Sequence, residues 1–191
     1  MSSFSCFPLK QIPAALALYS AVFATGAIAN TPQIFGLHEK VSLQELDVEL
    51  AAKLDTGAET ASLSATNIEI FNRNGDEWVR FQLDLEHVQH ARIIEKPLAR
   101  ISYIKRRAGD RQPGDKQLYT ERPVVEMDLC VGDELKKIEV NLTDRSAFDY
   151  PLLIGSTALK EFNAAVSPSV RYTAGQPNCS RSASSRRAEL C

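Results

Sequence analysis

The chain has 191 residues, 44% of them hydrophobic and 24% charged, with a formal net charge of −2. This is long enough for one domain with a real core, and its composition is that of an ordinary globular protein. The near-balanced charge excludes a general affinity for nucleic acid or an anionic membrane and makes a solvated, mixed surface the default.

Residues 1–29 read as an export signal. Lys10 supplies the positive region, residues 12–28 are apolar and uncharged, and Ala27-Ile28-Ala29 is a small-x-small cleavage site. The mature chain is expected to start near Asn30 in the periplasm or outside the cell, without a stable membrane anchor after cleavage. The run of about 17 residues sits at the lower edge of a membrane span, so an uncleaved anchor is the alternative. Residues 34–43 read as a short extended segment, and Leu46 to Leu54 as a strand. Ile68-Glu69-Ile70-Phe71 alternates, Asn72 to Asp76 is a turn, and Trp78 to Leu85 returns with period two, which together predict a hairpin. Arg92 to Glu95 and Leu98 to Ile104 are further strands. Lys105 to Lys116 is polar, charged and glycine-containing, and reads as a long loop or hairpin tip. Tyr119 to Cys130 and Leu135 to Leu142 pair across Val131-Gly132-Asp133-Glu134. A short helix is expected over Thr157–Phe162, and a last strand at Ala165-Val166. From Thr173 the chain is rich in Ser and Arg and is expected to be a flexible tail, residues 173–191, after a domain of residues 30–172. Many short strands and one short C-terminal helix indicate an all-β, closed or nearly closed barrel. After signal cleavage three cysteines remain. Cys130 lies in an apolar run and reads as a buried free thiol. Cys179 and Cys191 can close a loop in the tail in an oxidising compartment.

Two stretches carry the chemistry. Asp55-Thr56-Gly57-Ala58 follows the mostly apolar Val48 to Leu54, so a carboxylate stands where a strand breaks into a turn. Gly57 permits a tight or left-handed backbone and close approach of a ligand, and Thr56 offers a hydroxyl. Asp and Gly are also ordinary turn formers, so taken alone this stretch reads sooner as a plain turn. About a hundred residues on, Tyr150-Pro151-Leu152-Leu153-Ile154-Gly155 runs into the predicted helix.

The order Asp-Thr-Gly-Ala-Glu, then Leu-Leu-Ile-Gly and a short helix, resembles the retropepsin-like aspartic peptidases. The blocks Ala52 to Ala58, Trp78 to Phe81, Glu121 to Val125 and Leu142 to Ser146 resemble one bacterial branch of that family, also called RimK-associated and ATP-dependent zinc protease. The resemblance implies a retropepsin-like (acid protease) β-barrel and makes Asp55 the catalytic acid/base. Thr56, Gly57, Ala58, Glu59, Ile154 and Gly155 would support its loop, and Thr56 would brace the partner's loop. Because two facing carboxyl groups must share a proton, and the chain has a single Asp-Thr-Gly, the resemblance implies a homodimer with the site on its two-fold axis. The substrate would be a peptide or protein, and no cofactor would be needed. In retropepsins an Arg after the Leu-Leu-Ile-Gly block pairs with the acid at the Glu59 position; here that residue is Ser156. Arg145, beside Asp144, is the substitute to consider, and a plain surface turn at Asp144-Arg145 is the other reading.

The zinc and ATP labels find little in the residues. There is no His-Glu-x-x-His; His87 and His90 have helical spacing but no evident third ligand, and a solvated pair is their default reading. No Gly-rich phosphate loop is present. No metal is therefore expected. The run Lys105-Arg106-Arg107 reads by default as a solvated tip, and functionally as part of a flap or a binder of acidic substrate. A non-catalytic barrel that keeps the fold as a binding module is the alternative to the enzyme.

Overall fold

A computed structural model describes residues 31–85, 92–106 and 117–179. The export segment, His87, His90, residues 107–116 and the tail beyond Cys179, including Cys191, lie outside the described residues. The strands are β1 (Gln33–Gly36), β2 (His38–Leu43), β3 (Val48–Leu54), β4 (Ala61–Arg73), β5 (Asp76–Leu83), β6 (Ile94–Pro97), β7 (Arg100–Lys105), β8 (Tyr119–Val131), β9 (Glu134–Thr143), β10 (Leu152–Ile154) and β11 (Ala164–Ser167), with one helix, α1 (Ser156–Glu161).

Six of the strands close into a barrel in the order β10-β3-β2-β8-β9-β4 and back to β10. The expected all-β barrel with one short C-terminal helix is therefore the fold. Closure removes sheet edges, which a chain of short strands must otherwise protect. The three-residue β10 sits parallel to β3 and antiparallel to β4, so the Leu-Leu-Ile block is wedged beside the strand that ends at Asp55. Leu54, Leu63, Val125, Met127, Val140, Leu142, Leu152 and Ile154 fill the interior. Each such fully buried side chain contributes about 1.5–3 kcal/mol. Phe35 and Phe162 meet edge to face, 6.3 Å between centroids, where α1 and the β1–β11 pair cover the barrel.

Local chemistry sets the hairpins. Asn74 (φ 57°) and Gly75 (φ 98°) both have positive φ, which is the two-residue turn that matches strand twist between β4 and β5. Gly132 (φ 60°) turns β8 into β9. The β7–β8 hairpin runs in register from Arg100↔Val124 to Lys105↔Tyr119, and Arg106 N–H extends it by donating to Leu118 O.

Four expectations change. Residues 34–43 form two strands, broken at Leu37, whose N–H donates to Val170 O. Ala61 to Asn67, unassigned in the sequence, is the barrel half of β4. Small Ala and Ser residues have weak strand preference, but Ala61, Leu63 and Ala65 pack into the interior, and a bulge between Thr66 and Glu69 redirects the strand into the outer hairpin. Residues 173–179 are not a loose tail. Thr173 N–H, Thr173 Oγ1 and Ala174 N–H all donate to the buried carboxylate of Glu39, at 3.0, 2.7 and 3.1 Å, and Gly36 N–H donates to it at 2.6 Å. The fourth change is the cysteine pairing. Cys130 is not free and Cys179 does not pair with Cys191; Cys130 and Cys179 form a disulfide, with Cα atoms 6.0 Å apart. The docking of 173–179 brings Cys179 to β8.

Candidate active site

Asp55 follows the last residue of β3 and is half-buried. Its N–H donates to Ile154 O at 2.9 Å, tying the loop to β10. One carboxylate oxygen, Oδ1, accepts the N–H of Gly57 at 2.9 Å, which fixes the direction of the side chain. Gly57 is not in the left-handed region; its service is that N–H, and a Cβ there would sit 3.3 Å from Oδ1. Ala58 N–H closes the turn by donating to Asp55 O.

The far side of the loop rests on the start of α1. Ser156 N–H donates to Ala58 O at 2.7 Å and Thr157 N–H to Glu59 O at 3.0 Å. Gly155 makes this contact possible: a Cβ there would lie 2.7 Å from Glu59 O and 2.8 Å from Thr60 C. Ala58, Glu59, Ile154 and Gly155 thus meet at the Asp55 loop. Thr56 is exposed on the turn.

Asp144 and Arg145 stand elsewhere. Asp144 caps its own turn by accepting Ser146 N–H at 2.8 Å, and that hydrogen bond holds its carboxyl below the usual range. Arg145 is buried; its Nε donates to Tyr150 O at 3.2 Å, its N–H to Ser64 Oγ at 3.2 Å, and its guanidinium lies 4.6 Å from the Phe148 ring centroid. It does not pair with Glu59, which is exposed on the cleft beside Arg100 and Lys137. The substitution of Arg145 for the missing Arg is therefore not realised within one chain.

Strand register adds residues that the sequence reading passed over. Cross-strand partners share a face. His38, Lys53, Leu153, Ser62, Asn141 and Val124 form one row across β2, β3, β10, β4, β9 and β8. Asp55 comes two residues after Lys53, and Arg122 two before Val124, opposite Ser102. The row is polar and buried at its centre: Ser62 Oγ donates to Asn141 Oδ1 at 2.9 Å, and Asn141 Nδ2 donates to Ala61 O at 2.9 Å. Arg122 Nη1 reaches Asn141 Oδ1 at 3.4 Å, while its Nε is buried with no partner. Burial lowers the pKa of both guanidiniums, and Arg122 adds to the effect at Arg145. Among the described residues neither forms an ion pair. At one end of the row a cleft of about 360 Å³ is lined by His38, Lys53, Arg145, Asp149, Tyr150 and Arg171. His38 stacks on Tyr150, 4.4 Å between centroids, and its buried Nδ1 has no partner. Burial, then Arg171 and Lys53, push the His38 pKa down.

A closed six-stranded barrel, an Asp-Thr-Gly loop leaning on an apolar-apolar-Gly strand and a short helix after it define a retropepsin-like protein. The match is confirmed by comparison: the RimB-like family, described as retropepsin-like aspartic endopeptidase RimB, matches residues 34–177. The chain belongs to that family. Curated relatives named "Probable alpha-L-glutamate ligase" include one from Desulfotalea psychrophila, 26% identical over 75% of this chain, and one from Shewanella halifaxensis, 31% identical over 76%. The matched part is 30% of the length of each relative. The crystal structure of Lpg0085 from Legionella pneumophila, a protein of unknown function (DUF785), is 34% identical, with a TM-score of 0.61, and covers 76% of this chain and 99% of that one.

Proposed function

We propose that the chain is an aspartic endopeptidase that hydrolyses peptide or peptide-like amide bonds and works as a homodimer bringing two copies of Asp55 together. The observation that carries this is the Asp55 loop, with its carboxylate aimed by Gly57 N–H and its backbone clamped between Ile154 and α1. In the dimer one carboxylate takes a proton from water while its protonated twin polarises the scissile carbonyl. The chain has one such loop, so the second carboxyl group comes from the partner. Export by residues 1–29 to the periplasm is part of the reading, and N-terminal sequencing of the exported protein tests it.

The substrate class follows from two supports. Several relatives are named as probable alpha-L-glutamate ligases, and a peptidase reading of this chain suits the glutamyl bond that name describes. Among the described residues, half-buried Arg122 and buried Arg145 have no acidic partner, and burial of a charge is costly unless it is compensated. An acidic peptide supplies the compensation. A peptide-library assay comparing the native chain with Asp55→Asn tests the reading. Hydrolysis that survives chelator and is abolished by Asp55→Asn is expected. Equal hydrolysis by both forms would overturn it.

A second reading, a binding barrel without activity, is favoured by Ser156 in the Arg position and by Glu59, which has no ion pair among the described residues. It predicts acidic-peptide binding with no cleavage by native protein at any concentration.

A further inference from the structure

The segment after β11 runs back over β2. Leu37 N–H donates to Val170 O at 2.9 Å, Tyr172 N–H to His38 O at 2.7 Å, and Asn178 N–H to Gly132 O at 2.6 Å. Gly36 makes room for it: a Cβ there would sit 2.7 Å from the Arg171 Cα. Thr173 and Ala174 are held by the Glu39 carboxylate, and Cys179 ties the end of the segment to Cys130 in β8. The middle of the segment reaches the cleft. Arg171 lines it together with Lys53 and Arg145, and bears electrostatically on His38, whose buried Nδ1 has no partner. Tyr172 bears electrostatically on Tyr150, whose ring stacks on His38.

We propose that the Cys130–Cys179 disulfide is a latch that holds Arg171 at this cleft, and that Arg171 is a specificity-determining residue for acidic substrate. This rests on the peptidase reading above. Apart from this bond the segment is held by hydrogen bonds rather than by large buried apolar side chains. Residues 171–173 are exposed, and three of its hydrogen bonds converge on one carboxylate. A segment with few buried apolar contacts opens at low cost once a covalent tie is removed. Reduction by a dithiol breaks the S–S bond. A thiolate of the reductant attacks one sulfur, its second thiol displaces the first, and two electrons and two protons pass to Cys130 and Cys179 as the reductant becomes a disulfide. Freed at that end, residues 170–178 leave β2 and take Arg171 from the cleft.

The test uses full-length Cys191→Ser protein, so that no third thiol competes near the tail, oxidised or treated with dithiothreitol, alongside the same protein carrying Cys179→Ser. Amide exchange at Tyr172, Thr173, Ala174 and Asn178 should speed up by roughly tenfold or more on reduction and in Cys179→Ser. Leu54 and Asp55, whose N–H groups donate to Leu37 O and Ile154 O, should keep their protection and report an intact barrel. Unchanged exchange in the segment overturns the latch. Loss of protection at Leu54 and Asp55 as well overturns it too, since the bond then holds the whole fold. The second readout is the ratio of kcat/KM for an acidic peptide over a neutral one, which should fall on reduction and fall equally in Arg171→Gln. A ratio unmoved in either case overturns the specificity role. Absence of hydrolysis in every form sinks the peptidase reading and the specificity role that rests on it, while the exchange data still decide the latch.

Discussion

Gly155 is the position where the loop and the helix meet most closely, and Gly155→Ala is the sharpest perturbation of the arrangement. The added Cβ would meet backbone atoms of Glu59 and Thr60 at 2.7–2.8 Å. Backbone cannot rotate away as a side-chain end can, so the Asp55 loop and α1 must separate. That movement stretches the Ser156-to-Ala58 and Thr157-to-Glu59 hydrogen bonds. The backbone at Gly155 is extended, with φ −86°, so no left-handed strain is involved and the cost is steric. Overpacking of this kind costs about 1–3 kcal/mol, and with backbone on both sides about 2 kcal/mol is expected. For a domain of this size the melting temperature should fall by roughly 4–8 °C. Urea unfolding monitored by Trp78 fluorescence gives the free energy, and peptide hydrolysis gives the activity. Gly57→Ala is the contrast. Its Cβ would touch only the Asp55 carboxylate at 3.3 Å, so stability should change by less than about 1 kcal/mol while activity falls. A Gly155→Ala protein within about 0.5 kcal/mol of native would refute the claim that this contact clamps the loop.

Two further outcomes follow from the polar face. Arg122→Met removes a half-buried charge whose Nε has no partner, so it should leave stability unchanged or raise it by about 1 kcal/mol, yet lower kcat/KM for acidic peptides more than for neutral ones; a destabilised protein with unaltered preference would contradict this. His38 has a folded pKa below the ordinary value, because burial, Arg171 and Lys53 disfavour its charged form. The unfolded chain therefore binds the extra proton first, and the stability from neutral His38 is present above about pH 6.5 and is lost as pH falls through that value towards the folded pKa. Denaturant titrations across this range should slope more steeply for native protein than for His38→Phe, and identical slopes would contradict the assignment.

The fold was legible wherever local chemistry and burial agree. Asn74-Gly75 and Gly132 marked hairpins that formed, and the alternation of Val79, Phe81 and Leu83 marked a strand with one buried face. The Asp55 loop and its Leu-Leu-Ile-Gly support were legible as motifs, and the structure brings them together through Asp55 N–H and Ile154 O. What stayed hidden depended on long-range register. Arg122 and Asn141 are ordinary polar positions in their own strands, and only strand pairing sets Asn141 opposite Ser62 and brings Arg122 within reach of it. The barrel half of β4 was hidden by its Ala and Ser content. Thr173 to Cys179 looked like solvated tail because its anchor, Glu39, lies 134 residues away from Thr173 and is itself a charged residue in a strand. The period-two pattern at Glu39 gave one signal: an acid between His38 and Lys40 whose side of the strand must be covered by something.

The central claim is that two copies of Asp55 form one catalytic pair. The most direct measurement mixes native protein with increasing Asp55→Asn protein at fixed total concentration, allows subunits to exchange, and follows peptide hydrolysis. A shared site predicts activity that falls as the square of the native fraction, because mixed dimers carry a single native carboxylate. Activity that falls only in proportion to the native fraction would show that each chain works alone, and would contradict the shared pair.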